Sequence, residues 1–129
     1  MASVFSKIIA GELPGHFVWQ DDTAVAIMTI APLKAGHVLV IPRAEVDHWY
    51  DLPPETMAHL STLSQKVAKA MQRAFPATRV AVIIAGLEVP HTHLHLVPMD
   101  DMGELDFAKA REASAEELAA NAEKIRQHL

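Results

Sequence analysis

The stretch HTHLHLV at residues 91–97 constrains this chain more than any other segment. Successive side chains of a β-strand point to opposite faces, so the alternation predicts a strand with three histidines on one face. At a rise of about 3.3–3.4 Å per residue, neighbouring histidines lie about 6.7 Å apart along it. Buried polar rings cost free energy unless they are hydrogen-bonded. We therefore interpret the row of His91, His93 and His95 as a functional site.

The remaining elements predict an α+β fold. Apolar residues recur at nearly helical spacing between Pro54 and Phe75, which predicts a long helix that ends before Pro76. The run HVLVI predicts a strand buried on both faces, and Ser114 with Glu117 is a capping box for a last helix. The order of elements favours a mostly antiparallel sheet of about five strands with the long helix packed on it. The predicted elements are a helix over 3–10, strands over 16–20, 23–30, 37–41, 79–85 and 91–97, and helices over 54–75 and from 115 onward.

Composition excludes several classes of function. The chain has 129 residues, which favours one domain spanning 1–129. Its net charge of −5 disfavours binding to nucleic acid, which depends on Lys and Arg contacts to phosphate. No apolar run reaches the roughly 18 residues of a membrane span, and none at the start has the length of a secretory signal core. With no cysteine, we expect a cytoplasmic protein without disulfides or thiolate ligands.

The histidine row admits two kinds of chemistry. A His-x-His pair can chelate a transition metal, and a catalytic zinc usually has three protein ligands. A neutral imidazole is also a good nucleophile toward phosphorus near neutral pH. In that case one ring nitrogen of the central residue carries the proton and is held, and the other presents its lone pair. The flanking rings then donate hydrogen bonds to phosphate oxygens.

The sequence resembles the histidine triad (HIT) family of nucleotide hydrolases and transferases. HTHLHLV matches its motif of histidines alternating with apolar residues, with Thr92 the one polar exception. The segments VFSKIIAGELPGHFVWQDD and PLKAGHVLVIPRAEVDHWYDL resemble the opening helix and hairpin and the central strand of the family. The resemblance covers about residues 3–98, and 99–129 form a polar loop and a C-terminal helix. It implies a HIT-like fold whose sheet continues across a homodimer.

The resemblance also implies the roles of individual residues. His93 attacks the α-phosphorus of a purine nucleotide to give a nucleotidyl-histidine that water resolves, His91 and His95 bind phosphate or orient His93, and His37 lies behind the row. His95 stands where the transferase branch carries Gln, which favours the hydrolase branch of Hint-type phosphoramidases. No cofactor or metal is implied. The nucleotide-binding positions are Ile27, Thr29, Gly86, Val89 and Pro90.

Several positions depart from the family pattern. Thr29 occupies the place of an Asp that holds the ribose hydroxyls, and Leu87 occupies the place of a phosphate-binding Gln. The positions of a structural zinc site in some relatives hold Ser3, Ser6 and Glu45. Three functions remain open: a nucleotide hydrolase, a nucleotide-binding or interaction module with little catalysis, and a metal-dependent hydrolase.

Overall fold

The computed structural model of the chain describes residues 2–129. Its elements follow the predicted order, with a short 3₁₀ helix before the long helix and two more before the last one. The three α-helices and five strands within those residues are α1 (Val4–Ile9), β1 (Phe17–Gln20), β2 (Ala24–Met28), β3 (Val38–Pro42), α2 (Pro54–Ala74), β4 (Arg79–Ile83), β5 (Leu94–Met99) and α3 (Ala115–Arg126).

The five strands form one sheet in the order β1-β2-β3-β5-β4, and every neighbouring pair is antiparallel. This confirms the predicted α+β class. The histidine-bearing strand β5 lies between β3 and β4, with Leu39 of β3 opposite His95. Because directly paired residues share a face of the sheet, Leu39 and His95 point to the same side.

One face of the sheet carries the main core. Helix α2 begins with Pro54, which suits a first helical turn, and its apolar stripe is buried as its period predicts. Leu94 and Leu96 project from β5 into this core, where Leu118 of α3 also packs. The other face holds a smaller cluster in which Phe5 of α1 covers residues of β2 and β3. The histidines therefore face α1.

Apolar residues fill both faces at the centre of the sheet. Every residue of β2 and β3 is buried, as the near-continuous apolar run of β3 predicts. None of the helices in residues 2–129 has the length and apolarity required to cross a membrane.

Two predictions about the strands were wrong. Strand β4 was expected to be buried, but it is an edge strand whose Val82 is 56% exposed. Strand β5 begins at Leu94 and not at His91, because the Thr92 amide and hydroxyl bond the carbonyl oxygen of Val46 in the loop after β3. The strand also continues through Pro98 instead of ending before it. The proline is accommodated because Pro98 lies beyond the last residue of β5 that pairs with β3.

The backbone turn that leads into His37 depends on a glycine. Gly36, which precedes the buried His37, has a φ of +91°, and a β-carbon there would lie 2.6 Å from the Phe75 ring. Gly11 has a similar φ of +83°, but a β-carbon there would meet nothing within 4 Å. The two positions therefore share backbone strain and differ in the space around them.

We expect Gly36→Ala to lower the free energy of unfolding by about 1–3 kcal/mol more than Gly11→Ala. Both variants place an L-residue in the left-handed region, which costs about 1–2 kcal/mol. Only Gly36→Ala also overpacks a rigid aromatic ring. Urea unfolding of the two variants beside the parent measures the difference. Equal losses would show that Phe75 does not hold this turn.

Candidate active site

The three histidines of the row lie on the side of the sheet that faces α1, although only His95 belongs to β5. The Phe5 ring contacts the first two edge-on, with centroid distances of 5.8 Å to His91 and 4.8 Å to His93. The rings of His93 and His95 are 5.0 Å apart. Helix α1 therefore lies against the row through Phe5 and leaves the third ring open toward a cavity.

Both ring nitrogens of the first histidine are hydrogen-bonded. His91 is fully buried, and its Nε2 donates to the carbonyl oxygen of Pro42 at 2.7 Å. A carbonyl only accepts, so Nε2 carries the proton and Nδ1 is an acceptor. The hydroxyl of Ser3 therefore donates to Nδ1, at 2.7 Å. These two bonds fix the ring and leave it no nitrogen for a ligand.

The central histidine presents a free lone pair. His93 Nδ1 donates to the carbonyl oxygen of His91 at 2.7 Å, so Nδ1 carries the proton. No group in residues 2–129 bonds its Nε2, which therefore keeps its lone pair. Burial lowers the pKa of His93 below its usual value, although the bond to His91 opposes this. The neutral ring is the form that attacks an electrophile.

The third histidine is set in the opposite tautomer. The amide of Leu33 donates to His37 Nδ1 at 3.0 Å, so His37 carries its proton on Nε2. That Nε2 lies 3.0 Å from His95 Nδ1 and donates to it. His95 must then carry its own proton on Nε2, as a donor with no partner among residues 2–129. Burial lowers the pKa of His37 to about 3 and that of His95 to about 4, so both are neutral at pH 7.

A cavity of about 600 Å³ opens in front of the row. Its volume is within the range typical of small-molecule sites. Most of its lining is apolar and comes from α1, β2, β3, the loop before the row and the segment that precedes α3. The lining residues include Phe5, Ile8, Ile27, Thr29, His37, Leu39, Glu88, Val89, His93, His95, Phe107, Ala110 and Leu118.

The structure brings most of the predicted site residues together. His37, His93 and His95 line the cavity, as do the predicted nucleotide-binding residues Ile27, Thr29 and Val89. The predicted positions Gly86, Pro90 and His91 do not line it. Leu87, which stands in the place of a phosphate-binding Gln, is 95% exposed.

Two aromatic residues that are not among the predicted site residues form walls of the cavity. Phe5 lies over His93, and the Phe107 ring packs edge-on against His95 with the centroids 4.8 Å apart. Phe107 belongs to the 3₁₀ helix Phe107–Lys109, in the stretch after residue 98 that was predicted to be a polar loop. The ion pair between Lys34 and Glu104 ties that stretch to the loop before β3. The apolar Phe107 within an acidic segment was the signal available in the sequence.

The positions that hold zinc in some relatives do meet here, but their donors do not suit the metal. Ser3 caps α1, and its amide and the hydroxyl of Ser6 both donate to Glu45 Oε1 at 2.7 Å. Zinc sites are built from thiolate, imidazole and carboxylate groups, whereas two of these positions are neutral hydroxyls already paired. A hydrogen-bond network therefore takes the place of the zinc site and connects Glu45 through Ser3 to His91.

The row leaves two ring nitrogens unbonded, and not the three that a catalytic zinc usually takes from the protein. His91 uses both nitrogens in hydrogen bonds, and His93 and His95 each use Nδ1. No group of three or more acidic, histidine or cysteine side chains in residues 2–129 is placed to hold a metal ion. A catalytic zinc usually takes three protein ligands, so the bonding pattern favours nucleophilic over metal chemistry.

The chain belongs to the HIT family. The HIT domain family model matches residues 10–102. An uncharacterised HIT-like protein of Mycobacterium tuberculosis is 35% identical over 114 residues, covering 84% of this chain and 79% of its own length. The adenosine 5′-monophosphoramidase HNT1 of Saccharomyces cerevisiae is 32% identical over 101 residues, covering 78% of this chain and 64% of its own length.

Solved structures share the fold over nearly the whole chain. A HIT-like protein from Bartonella henselae, described as involved in cell-cycle regulation, matches with a TM-score of 0.88 at 33% identity, covering 98% of this chain and 96% of its own. A zinc-bound histidine triad family protein from Mycobacterium smegmatis matches with a TM-score of 0.85 at 28% identity, covering 99% and 93%.

We expect Ser3→Ala to lower the free energy of unfolding by about 1–3 kcal/mol more than Ser114→Ala. Each substitution removes a helix N-cap, which costs about 1 kcal/mol. Only Ser3→Ala also leaves the buried Nδ1 of His91 without a partner, which adds a desolvation cost. Urea unfolding at neutral pH measures both losses, and equal values would refute the bond from Ser3 to His91.

Proposed function

We propose that this protein hydrolyses nucleoside 5′-phosphoramidates and related derivatives at the α-phosphorus, with His93 as the nucleophile. The observation that carries the proposal is the tautomer of His93, whose Nδ1 proton is held by a carbonyl while Nε2 is free at the cavity. The activity of the yeast relative, an adenosine 5′-monophosphoramidase, supports it. So does that of an Arabidopsis thaliana relative, an adenylylsulfatase that is 30% identical over 100 residues.

The first step transfers the nucleotidyl group to the enzyme. The lone pair of His93 Nε2 forms a bond to the α-phosphorus, and the bond from phosphorus to the amine nitrogen breaks. The amine leaves with the bonding electron pair and takes a proton from solvent. The ring becomes an N-phosphorylated imidazolium whose Nδ1 proton is still held by the carbonyl oxygen of His91, so the positive charge is partly stabilised.

The second step releases the nucleotide. Water attacks the phosphorus, the bond to Nε2 breaks and its electron pair returns to the ring, while the water proton passes to solvent. His95 Nε2–H is a donor throughout, because the relay from Leu33 through His37 fixes its tautomer. We assign to it a hydrogen bond to a phosphate oxygen, a contact that strengthens as charge develops.

The nucleoside is assigned to the apolar part of the cavity. Ile27 and Val89 provide apolar contact for a purine base, and the hydroxyl of Thr29 is the polar group nearest the expected ribose. Thr29 is a weaker partner for ribose hydroxyls than a carboxylate, since a neutral hydrogen bond is weaker than a charge-assisted one. We expect correspondingly weak selection for the ribose.

The homodimer belongs to the same proposal. Strand β4 is an edge strand with Val82 56% exposed, and such an edge is a template for pairing with another strand. Pairing through β4 would continue the sheet across two copies. One domain spanning 1–129 and a cytoplasmic location stay predictions from the sequence.

A nucleotide-binding module with little catalysis is the second candidate. Two departures favour it, namely Thr29 in the ribose position and the solvent-exposed Leu87 in place of a side chain that contacts phosphate. In this case the protein binds a nucleoside monophosphate and turns over no phosphoramidate.

We expect His93→Ala to reduce kcat/KM for adenosine 5′-phosphoramidate by at least about a thousandfold, because it removes the ring nitrogen that attacks phosphorus. Release of AMP is measured with and without a chelator, and binding of AMP by calorimetry. His48→Ala, at an exposed histidine outside the cavity, is the control and retains activity. Chelator-resistant turnover that survives in His93→Ala would overturn the mechanism. Binding of AMP without turnover by the parent would favour the second candidate.

A further inference from the structure

The cavity has an unusual charge balance for a site that receives a phosphate. Among its lining residues within 2–129, Glu88 is the single Asp, Glu, Lys or Arg. His37 and His95 are neutral at pH 7 because burial lowers their pKa values. His16 is the remaining histidine of the lining besides His93. A bound anion therefore meets the neutral rings of His37 and His95 and one carboxylate, and no Lys or Arg side chain.

Glu88 is free to act on the substrate. It lies on the loop between β4 and the histidine row, is exposed, and forms no ion pair with any residue described by the structure. Its charge reaches the nucleophile, since it raises the pKa of His93 against the lowering by burial. Glu88 has no ion-pair partner among the described residues and lies on the wall of the cavity that His93 also lines, so it can act on a leaving group held there.

Three basic residues in segments that contribute to the cavity wall line a different cavity. Lys34, Lys109 and Arg111 line a separate cavity of about 370 Å³ together with Glu112 and Glu117. Lys34 is also paired with Glu104. Additional phosphates of a leaving group would therefore find no cationic side chain in front of His93.

We propose that Glu88 is a specificity-determining residue that selects phosphoramidates whose leaving group is a cationic amine over those with a neutral or anionic leaving group. This inference rests on the proposed function. A leaving group that carries a distal ammonium is attracted to the carboxylate. Pyrophosphate, nucleotide or sulfate leaving groups are repelled by the same charge.

The test uses three adenosine 5′-phosphoramidates of nearly equal size, made from 1,4-diaminobutane, butylamine and 4-aminobutanoate. Their distal groups are cationic, neutral and anionic. The value of kcat/KM is measured for each with the full-length protein, with Glu88→Gln and with Glu55→Gln. Glu55 is an exposed carboxylate in the first turn of α2 and lines neither cavity, so it is a control for the loss of one negative charge.

We expect the parent and Glu55→Gln to prefer the diaminobutane derivative over the aminobutanoate derivative by about tenfold or more at low salt, as expected for one nearby charge. The preference falls as ionic strength rises, because salt screens an exposed carboxylate. Glu88→Gln removes most of the preference at every salt concentration. The butylamine derivative is the internal reference for changes unrelated to charge.

Three results test the role of Glu88 and distinguish it from the hydrolase activity on which it rests. Release of AMP from all three compounds with the same ratio in the parent and in Glu88→Gln overturns the role of Glu88 and leaves the hydrolase proposal standing. No release from any of them by the parent overturns the hydrolase proposal, and the inference with it. A preference that persists in Glu88→Gln and is insensitive to salt also overturns the role of Glu88.

Discussion

The hydrogen bond from His93 Nδ1 to the carbonyl oxygen of His91 links the fold to the chemistry. The direction of that carbonyl determines which nitrogen of His93 faces the cavity. The carbonyl is fixed in turn because the ring of His91 is clamped between Pro42 at the end of β3 and Ser3 at the start of α1. Elements far apart in the sequence thus set the protonation of one ring.

Backbone groups set His93 and His95 in opposite tautomers at the cavity. A carbonyl oxygen makes His93 an acceptor toward the cavity, and the amide of Leu33 makes His95 a donor through His37. Burial keeps His37 and His95 uncharged at neutral pH, as their lowered pKa values indicate. An acceptor beside a donor, both neutral, is the arrangement that lets one ring attack phosphorus while the next binds an oxygen.

Periodicity in the sequence predicts much of this fold and part of the site. Alternation placed the histidines on one face, and the stripe of α2 and the apolar run of β3 predicted their burial, because these signals are local. The bond between Ser3 and His91 joins residues 88 positions apart, and no local pattern encodes it. The exposure of β4 depends on strand order, and Phe107 reaches His95 through an irregular segment. Tertiary contacts decide such features.

Long-range ¹H–¹⁵N correlation spectra of the imidazole rings at neutral pH test the central claim most directly. Signals are assigned with the single variants His93→Gln and His95→Gln. The structure predicts that His93 is neutral with its proton on Nδ1 and that His95 is neutral with its proton on Nε2. A His93 ring protonated on Nε2, alone or together with Nδ1, has no lone pair for phosphorus and would contradict the account.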